Sequence, residues 1–180
     1  MIFIKYTSIL LLLLASSTIG ILYSKKYSCR VKDLEEFNKA MDIFKSKIKF
    51  TYKTIPDVFK EISEELKENI SKIFEKASLY MENDLASNAW ERSLEEEEKG
   101  TNFNKEDIEI IKSLATLLGN SDLDGQINNI NLIRELIDKQ IEEARIEKNK
   151  NEKLYKVLGT SIGLVIAIIL ILIKESFYGY

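Results

Sequence analysis

The 180 residues contain no histidine, one cysteine (Cys29) and one proline (Pro56). Without histidine there is no Ser-His-Asp or Cys-His nucleophilic pair, no His-bearing zinc site, and no side chain whose ordinary titration falls near neutral pH. One cysteine permits neither an internal disulfide nor an all-cysteine metal site. Glycine is scarce as well, at seven. Tight turns draw on Gly and Pro for their backbone angles, so this shortage argues against an all-β fold. The length suits one modest domain.

What the sequence does have is sorted along the chain. Its 26 Lys or Arg nearly balance 29 Asp or Glu, yet no charge occurs from Tyr6 to Tyr23 (YTSILLLLLASSTIGILY) or from Val157 to Ile173 (VLGTSIGLVIAIILILI). These runs lie at the short end of the ~17–25 residues that cross a bilayer core as a helix. The first also fits a signal peptide, with Lys5 as its positive start and Ala15 and Ser17 as a small-residue cleavage site. The apolar stretch continues beyond that cut through Ile19, Ile21 and Leu22, which favours a retained helix. The second has no polar face, unlike a core helix of a soluble protein.

Lys25, Lys26, Arg30 and Lys32 follow the first run, and Lys148, Lys150, Lys153 and Lys156 precede the second with Glu152 opposing. The outer flanks hold only Lys5, Lys174 and Glu175. Positive charge is retained on the cytoplasmic side. The expected organisation is an N-terminal transmembrane helix (1–23), a cytoplasmic helical bundle (24–156), a C-terminal transmembrane helix (157–173) and a short outer tail (174–180), with both termini across the membrane. Tyr23, Tyr27 and Tyr155 near one boundary, and Phe177, Tyr178 and Tyr180 beyond the other, suit the interfacial aromatic belts. Between the basic collars, residues 33–147 carry 16 basic and 27 acidic side chains. The collars should attract anionic headgroups and the acidic body should be repelled. Nucleic acid is excluded as a partner, because phosphate binding needs a basic surface.

Apolar spacing of three and four predicts helices through most of the body. Val31, Leu34, Phe37, Met41, Phe44 and Ile48 share one face of a first helix, which ends in a short extended link before Pro56. Thr54, Pro56 and Asp57 mark the start of a second helix, with Val58, Phe59, Ile62 and Leu66 as its buried stripe. A third carries Ile70, Ile73, Phe74, Ala77 and Met81. Asp84 is expected to cap a fourth, which bears Ala86, Ala89, Trp90 and Leu94. Asn104 and Asp107 have cap spacing for a fifth, running to Leu118 and closed by Gly119. The sixth opens at Ser121 with Asp124 three residues on. It presents Leu123, Ile127, Ile130, Ile137, Ile141 and Ala144. Unbroken from Asp122 to Ile173 it would extend about 78 Å at ~1.5 Å per residue; a bend near Lys148–Lys153 is the alternative.

Three groups of residues are candidates for function. Ser16 and Gly20, and Gly159 and Gly163, are pairs of small residues four apart within the apolar runs, a spacing that lets transmembrane backbones approach closely. They are expected to pack together or onto a shared partner. The run Glu95, Glu96, Glu97 and Glu98 is either a docking patch for a basic partner or a solvated, fraying helix end, and the second is the commoner use of such a run. At the junction of Gly119, Ser121, Asp124 and Gln126 a functional contact competes with plain capping, and capping is favoured. No pattern of catalytic, cofactor-binding or metal-ligating residues is present, so neither an enzyme nor a small-molecule substrate is expected. Asp122 and Asp124, the one carboxylate pair worth weighing, point in different directions at a helix start.

The phrases LLGNSDLDGQ (Leu117–Gln126) and NEKLYKVLG (Asn151–Gly159), ahead of a final apolar helix, resemble the stage III sporulation protein AB family. YKTIPDVFKEI (Tyr52–Ile62) is similar to that family's link and second helix, and NAWERSL (Asn88–Leu94) to its tryptophan helix. That family in turn resembles the cytoplasmic domain of type II secretion system F proteins. The resemblance implies an all-α fold, an antiparallel six-helix bundle between two transmembrane helices. It implies a non-enzymatic platform in the mother-cell membrane around the forespore, with the bundle in the mother-cell cytoplasm and the termini in the intermembrane space. Its implied partners are the membrane, a secretion-type sporulation ATPase (the AA protein) and other stage III channel proteins. A homo-oligomer would supply the second domain copy that full secretion platforms carry. The competing reading is a membrane-anchored signalling or adaptor protein, although little chain remains outside to sense anything.

Overall fold

The computed structural model describes the backbone of residues 2–51, 53–118 and 123–178, and the side chains of 7–51, 53–67, 69–118 and 125–170. Among the described residues six α-helices follow in order: α1 (Ile2–Phe50), α2 (Ile55–Glu65), α3 (Glu68–Tyr80), α4 (Ala86–Glu97), α5 (Lys105–Lys112) and α6 (Leu123–Tyr178). Short 3-10 helices occupy Glu98–Gly100 and Ser113–Leu117. Among the described residues there is no strand, as the scarcity of Gly and Pro required. Each apolar run shares one helix with an amphipathic stretch of the body, because neither Gly nor Pro occurs between Gly20 and Pro56, or between Gly125 and Gly159. Nothing in either stretch interrupts the backbone hydrogen-bond ladder.

The chain divides into two compact units. One takes Met1–Ser28 and Arg145–Tyr180, the other Cys29–Ala144.

In the Cys29–Ala144 unit, the stripe Val31, Leu34, Phe37, Met41 and Phe44 of α1 is buried. It meets Val58, Phe59 and Ile62 of α2, Ile70, Ile73 and Phe74 of α3, and Trp90 and Leu94 of α4 in one apolar core. Aromatic rings supply its centre. Phe59 lies 5.1 Å from both Phe44 and Phe74, and Phe74 lies 5.2 Å from Trp90, all in tilted or edge-on pairs. Such pairs add about 0.5–1.5 kcal/mol each beyond their burial, since the positive ring edge faces the negative ring face. Trp90 is fully buried and its indole Nε1 donates to the Ile111 carbonyl at 3.0 Å, so burying this polar atom costs no unmade bond. From α6, Ile130, Ile133, Ile137, Ile141 and Ala144 close the core.

Local signals start two helices as expected. Thr54 is the N-cap of α2, accepting from the Asp57 amide at 3.4 Å, with Pro56 in the first turn. Asn104 and Asp107 form a reciprocal capping box on α5, with both bonds at 2.8 Å. Two boundaries differ from expectation. Leu85, not Asp84, is the N-cap position of α4. Asp84 lies one residue earlier, where its Oδ1 accepts from the Leu85 amide and from Asn88 Nδ2. The fifth helix does not run as α-helix to Leu118 but tightens to 3-10 at Ser113. The tighter winding, three residues per turn, keeps Ala115 and Leu118 on the same buried side. The Ser113 and Thr116 hydroxyls bond the carbonyls three residues back, which competes with α-helical continuation. Gly119 and Ser121 lie outside the described residues, as does the side chain of Asp124.

Candidate functional site

The unit of Met1–Ser28 and Arg145–Tyr180 is two helical segments joined face to face by small side chains. A Cβ on Gly20 would stand 2.7 Å from the Tyr155 carbonyl oxygen and 3.0 Å from the Gly159 Cα. A Cβ on Gly159 would stand 2.8 Å from the Ser16 carbonyl oxygen and 2.9 Å from the Gly20 Cα. One on Gly163 would meet the Ser16 hydroxyl and approach Leu13 to 3.2 Å. Ser16, Gly20, Gly159 and Gly163 are therefore brought together, with backbone against backbone. Glycine inside a helix costs about 0.5–1 kcal/mol relative to alanine, and the close approach returns dispersion contacts along the seam. Buried Ser24 and Ala167 extend the same rows by one further turn on each helix. These two were missed in the sequence, although each stands four residues beyond a glycine already singled out.

Residue numbers rise along one segment as they fall along the other: Gly163 meets Ser16, Gly159 meets Gly20, and Tyr155 meets Tyr23 and Tyr27. The three tyrosines form a stack, with Tyr155 centred 6.2 Å from Tyr23 and 5.7 Å from Tyr27 at interplanar angles of 20° and 23°. The hydrogen bond between the Tyr27 and Tyr155 hydroxyls, and next partial burial, push the Tyr27 phenol above its ordinary value of 10.0.

The outward faces of this pair are apolar. Leu11 is 67% exposed and Leu22 65%, with Leu10, Leu14, Ile162, Leu164 and Val165 each above half. Three hydroxyls of this unit bond within their own helices: Thr18 donates to the Leu14 carbonyl at 2.7 Å, Ser24 to Ile21 at 2.8 Å and Thr160 to Val157 at 2.8 Å. No hydroxyl of this set needs water, which is the condition hydrocarbon imposes on a helix. Both α1 and α6 contain a stretch long and apolar enough to cross a membrane.

The other unit holds a buried ionic cluster that sequence spacing does not announce. Arg30 Nε donates to Asp107 Oδ2 at 2.8 Å, and its Nη2 to Asp107 Oδ1 and to Gln140 Oε1, both at 2.9 Å. Arg30 is 6% exposed, Asp107 0% and Gln140 1%. Arg30 thus leaves the basic collar in which its neighbours Lys25, Lys26 and Lys32 remain exposed. The fork of the guanidinium matches both carboxylate oxygens, a geometry open to Arg and closed to Lys. Asp107 serves twice, since Oδ2 also accepts from the Asn104 amide to start α5.

The acidic run ends α4 with most of its charge engaged inside the unit. Glu95 pairs with Lys112 at 3.2 Å, Glu97 with Lys76 at 2.6 Å, and Glu96 with Lys76 at 3.0 Å and Arg92 at 3.2 Å. The Tyr80 hydroxyl donates to Glu96 at 2.8 Å. That bond, then Lys76 and Arg92, hold the Glu96 carboxyl down at about 2. Glu98 is half-buried in the following 3-10 turn. These pairings occupy carboxylates that a basic partner would need.

The fold defines an all-helical protein with a tightly packed pair of apolar helical segments in one unit and an aromatic-centred helical core in the other. The family model of stage III sporulation protein AB matches residues 5–171, and the chain belongs to that family. Stage III sporulation protein AB of Bacillus subtilis (strain 168) is 24% identical to it over 169 residues, 93% of this chain and 99% of that one. A solved structure of a stage III sporulation protein AB, 21% identical, matches it with a TM-score of 0.64 over 68% of this chain and 98% of that chain, and so shows the fold. Family membership assigns the protein to sporulation, and with its two long apolar helices it is a membrane-associated member of that process.

Proposed function

We propose that the protein is a non-enzymatic platform subunit of the mother cell–forespore complex, holding a secretion-type ATPase, the AA protein, at the membrane that carries the channel subunits. The observation that carries the reading is the apolar pair: small residues turned inward and large aliphatic residues turned outward, with Thr18, Ser24 and Thr160 bonded within the helices. An anchor of this kind suits a scaffold that must stay in the bilayer while bearing load.

In this reading both apolar segments cross the membrane surrounding the forespore. The residues between them face the mother-cell cytoplasm and the termini lie in the intermembrane space. The retained lysines at positions 25, 26, 32, 148, 150, 153 and 156 support that orientation. Contacts with other stage III channel proteins and a homo-oligomeric arrangement complete the assembly. The test is capture of the ATPase by the full chain purified in mild detergent from sporulating cells. Specific retention is expected, together with loss of sporulation on deletion. Failure to retain the ATPase, with normal spore counts in the deletion strain, overturns the proposal.

A further inference from the structure

Along α6, Lys148, Asn149, Glu152, Lys153, Lys156 and Val157 line one groove of about 280 Å³. The spacing explains this, because positions 148, 152 and 156, with 149, 153 and 157 beside them, repeat every four residues and share one helix face. Three ammonium groups face one carboxylate. Glu152 pairs with Lys156 at 2.6 Å, and that bond, aided by the charge of Lys148, holds the Glu152 carboxyl below its ordinary value. One pair is thereby neutralised internally, while the charges of Lys148 and Lys153 and the Asn149 amide remain to face an incoming anion.

The surroundings of the groove select among anions. Val157, which lines the groove beside Lys156, is 54% exposed, so the face changes from cationic to apolar within about one helical turn. Tyr155, between Lys153 and Lys156, belongs to the tyrosine stack that marks the polar end of the apolar pair. Lysine stems lie along apolar surface while their ammonium groups reach outward. A free phosphate or an acidic peptide would use the ammonium groups and leave the adjoining aliphatic side chains uncovered. A phospholipid satisfies both, with its phosphate among the lysines and its acyl chains over Val157 and the uncharged run that begins there.

We propose that Lys148 and Lys153, flanking the Glu152–Lys156 pair, bind the headgroup phosphate of an anionic phospholipid, making the anchor selective for lipid charge. The inference rests on the membrane-spanning reading above. The test uses the full chain reconstituted in phosphatidylcholine vesicles containing trace spin-labelled phosphatidylglycerol or spin-labelled phosphatidylcholine. The immobilised fraction of each label is read by electron paramagnetic resonance. Phosphatidylglycerol should be favoured about threefold or more, since each lysine near an anionic surface contributes attraction. The K148Q/K153Q variant should lose at least half of that preference, the remainder belonging to the other collar lysines, and the charge reversal K148E/K153E should lower it further, both with unchanged Trp90 emission as the check on folding. Equal immobilisation of the two lipids by the unaltered chain overturns the proposal, as does a preference undiminished by the K148Q/K153Q substitution. Loss of the preference on adding millimolar inorganic phosphate at constant ionic strength also overturns it, by showing a free-anion site instead. If neither lipid is immobilised, the membrane-spanning reading itself fails, and this inference with it.

Discussion

Replacing Asp107 by alanine would leave the Arg30 guanidinium buried without the carboxylate that accepts from Nε and Nη2 at 2.8 and 2.9 Å. The neutral Gln140 carbonyl, at 2.9 Å, cannot compensate a full charge. Removing one partner of a buried pair costs about 3–5 kcal/mol, because the remaining ion keeps its desolvation penalty and loses its attraction. Loss of the reciprocal half of the α5 capping box adds up to about 1 kcal/mol. Against a typical domain stability of about 5–15 kcal/mol this is a large fraction. It should lower the melting temperature of the Cys29–Ala144 unit by roughly 10–20 °C.

Trp90, the only tryptophan, is fully buried in that unit, so its emission reports this transition directly in the detergent-solubilised full chain. The double substitution R30M/D107L removes both charges and refills their volume. It should recover most of the loss, giving a coupling of about 2–4 kcal/mol in a double-mutant cycle. The reasoning is refuted if D107A melts within about 1 kcal/mol of the parent, or if the double variant is no more stable than D107A alone.

Two further outcomes follow from other parts of the structure. The folded Glu96 carboxyl, at about 2, lies below its ordinary 4.5; its contribution is therefore present above about pH 4.5 and is lost as pH falls toward about 2. E96Q should melt lower than the parent near neutral pH at low salt, with the difference vanishing at the acid end of a pH series; a gap independent of pH would contradict this assignment. In the apolar pair, G159L/G163L should separate the segments and abolish the Tyr27–Tyr155 contact. Disulfide crosslinking between cysteines replacing Tyr23 and Tyr155, which face each other across the pair, would measure this in the parent and in the variant background alike; undiminished crosslinking in the variant would refute close backbone packing as the source of the pairing.

Much of the helical architecture was legible because its signals are local. Apolar residues recurring along α1, α2, α3 and α6 announce a buried face to any partner, and the caps at Thr54 and at Asn104 with Asp107 act within three residues. The small-residue pairs were legible for the same reason, each lying within one helical turn. Less visible were the exits from helices. The tightening of α5 at Ser113 depends on which side of the chain must be buried, and the N-cap of α4 at Leu85 depends on where the preceding turn leaves Asp84.

Sequence alone determined that this chain would be helical, that histidine and disulfide chemistry were closed to it, and that two uncharged runs would stand apart from a charged body. Those are consequences of composition and short-range spacing. The tertiary structure alone decided what Arg30 is for. Read in order it is one more base in a collar; folded, it is buried against Asp107, 77 positions away, and Gln140, 110 positions away. No local preference encodes that choice, because the cost of burying a guanidinium is offset only when distant helices bring two acceptors to its fork. Likewise, two glycine spacings became one seam only when α1 and α6 placed Gly20 against Gly159, where either Cβ would collide with the other's backbone.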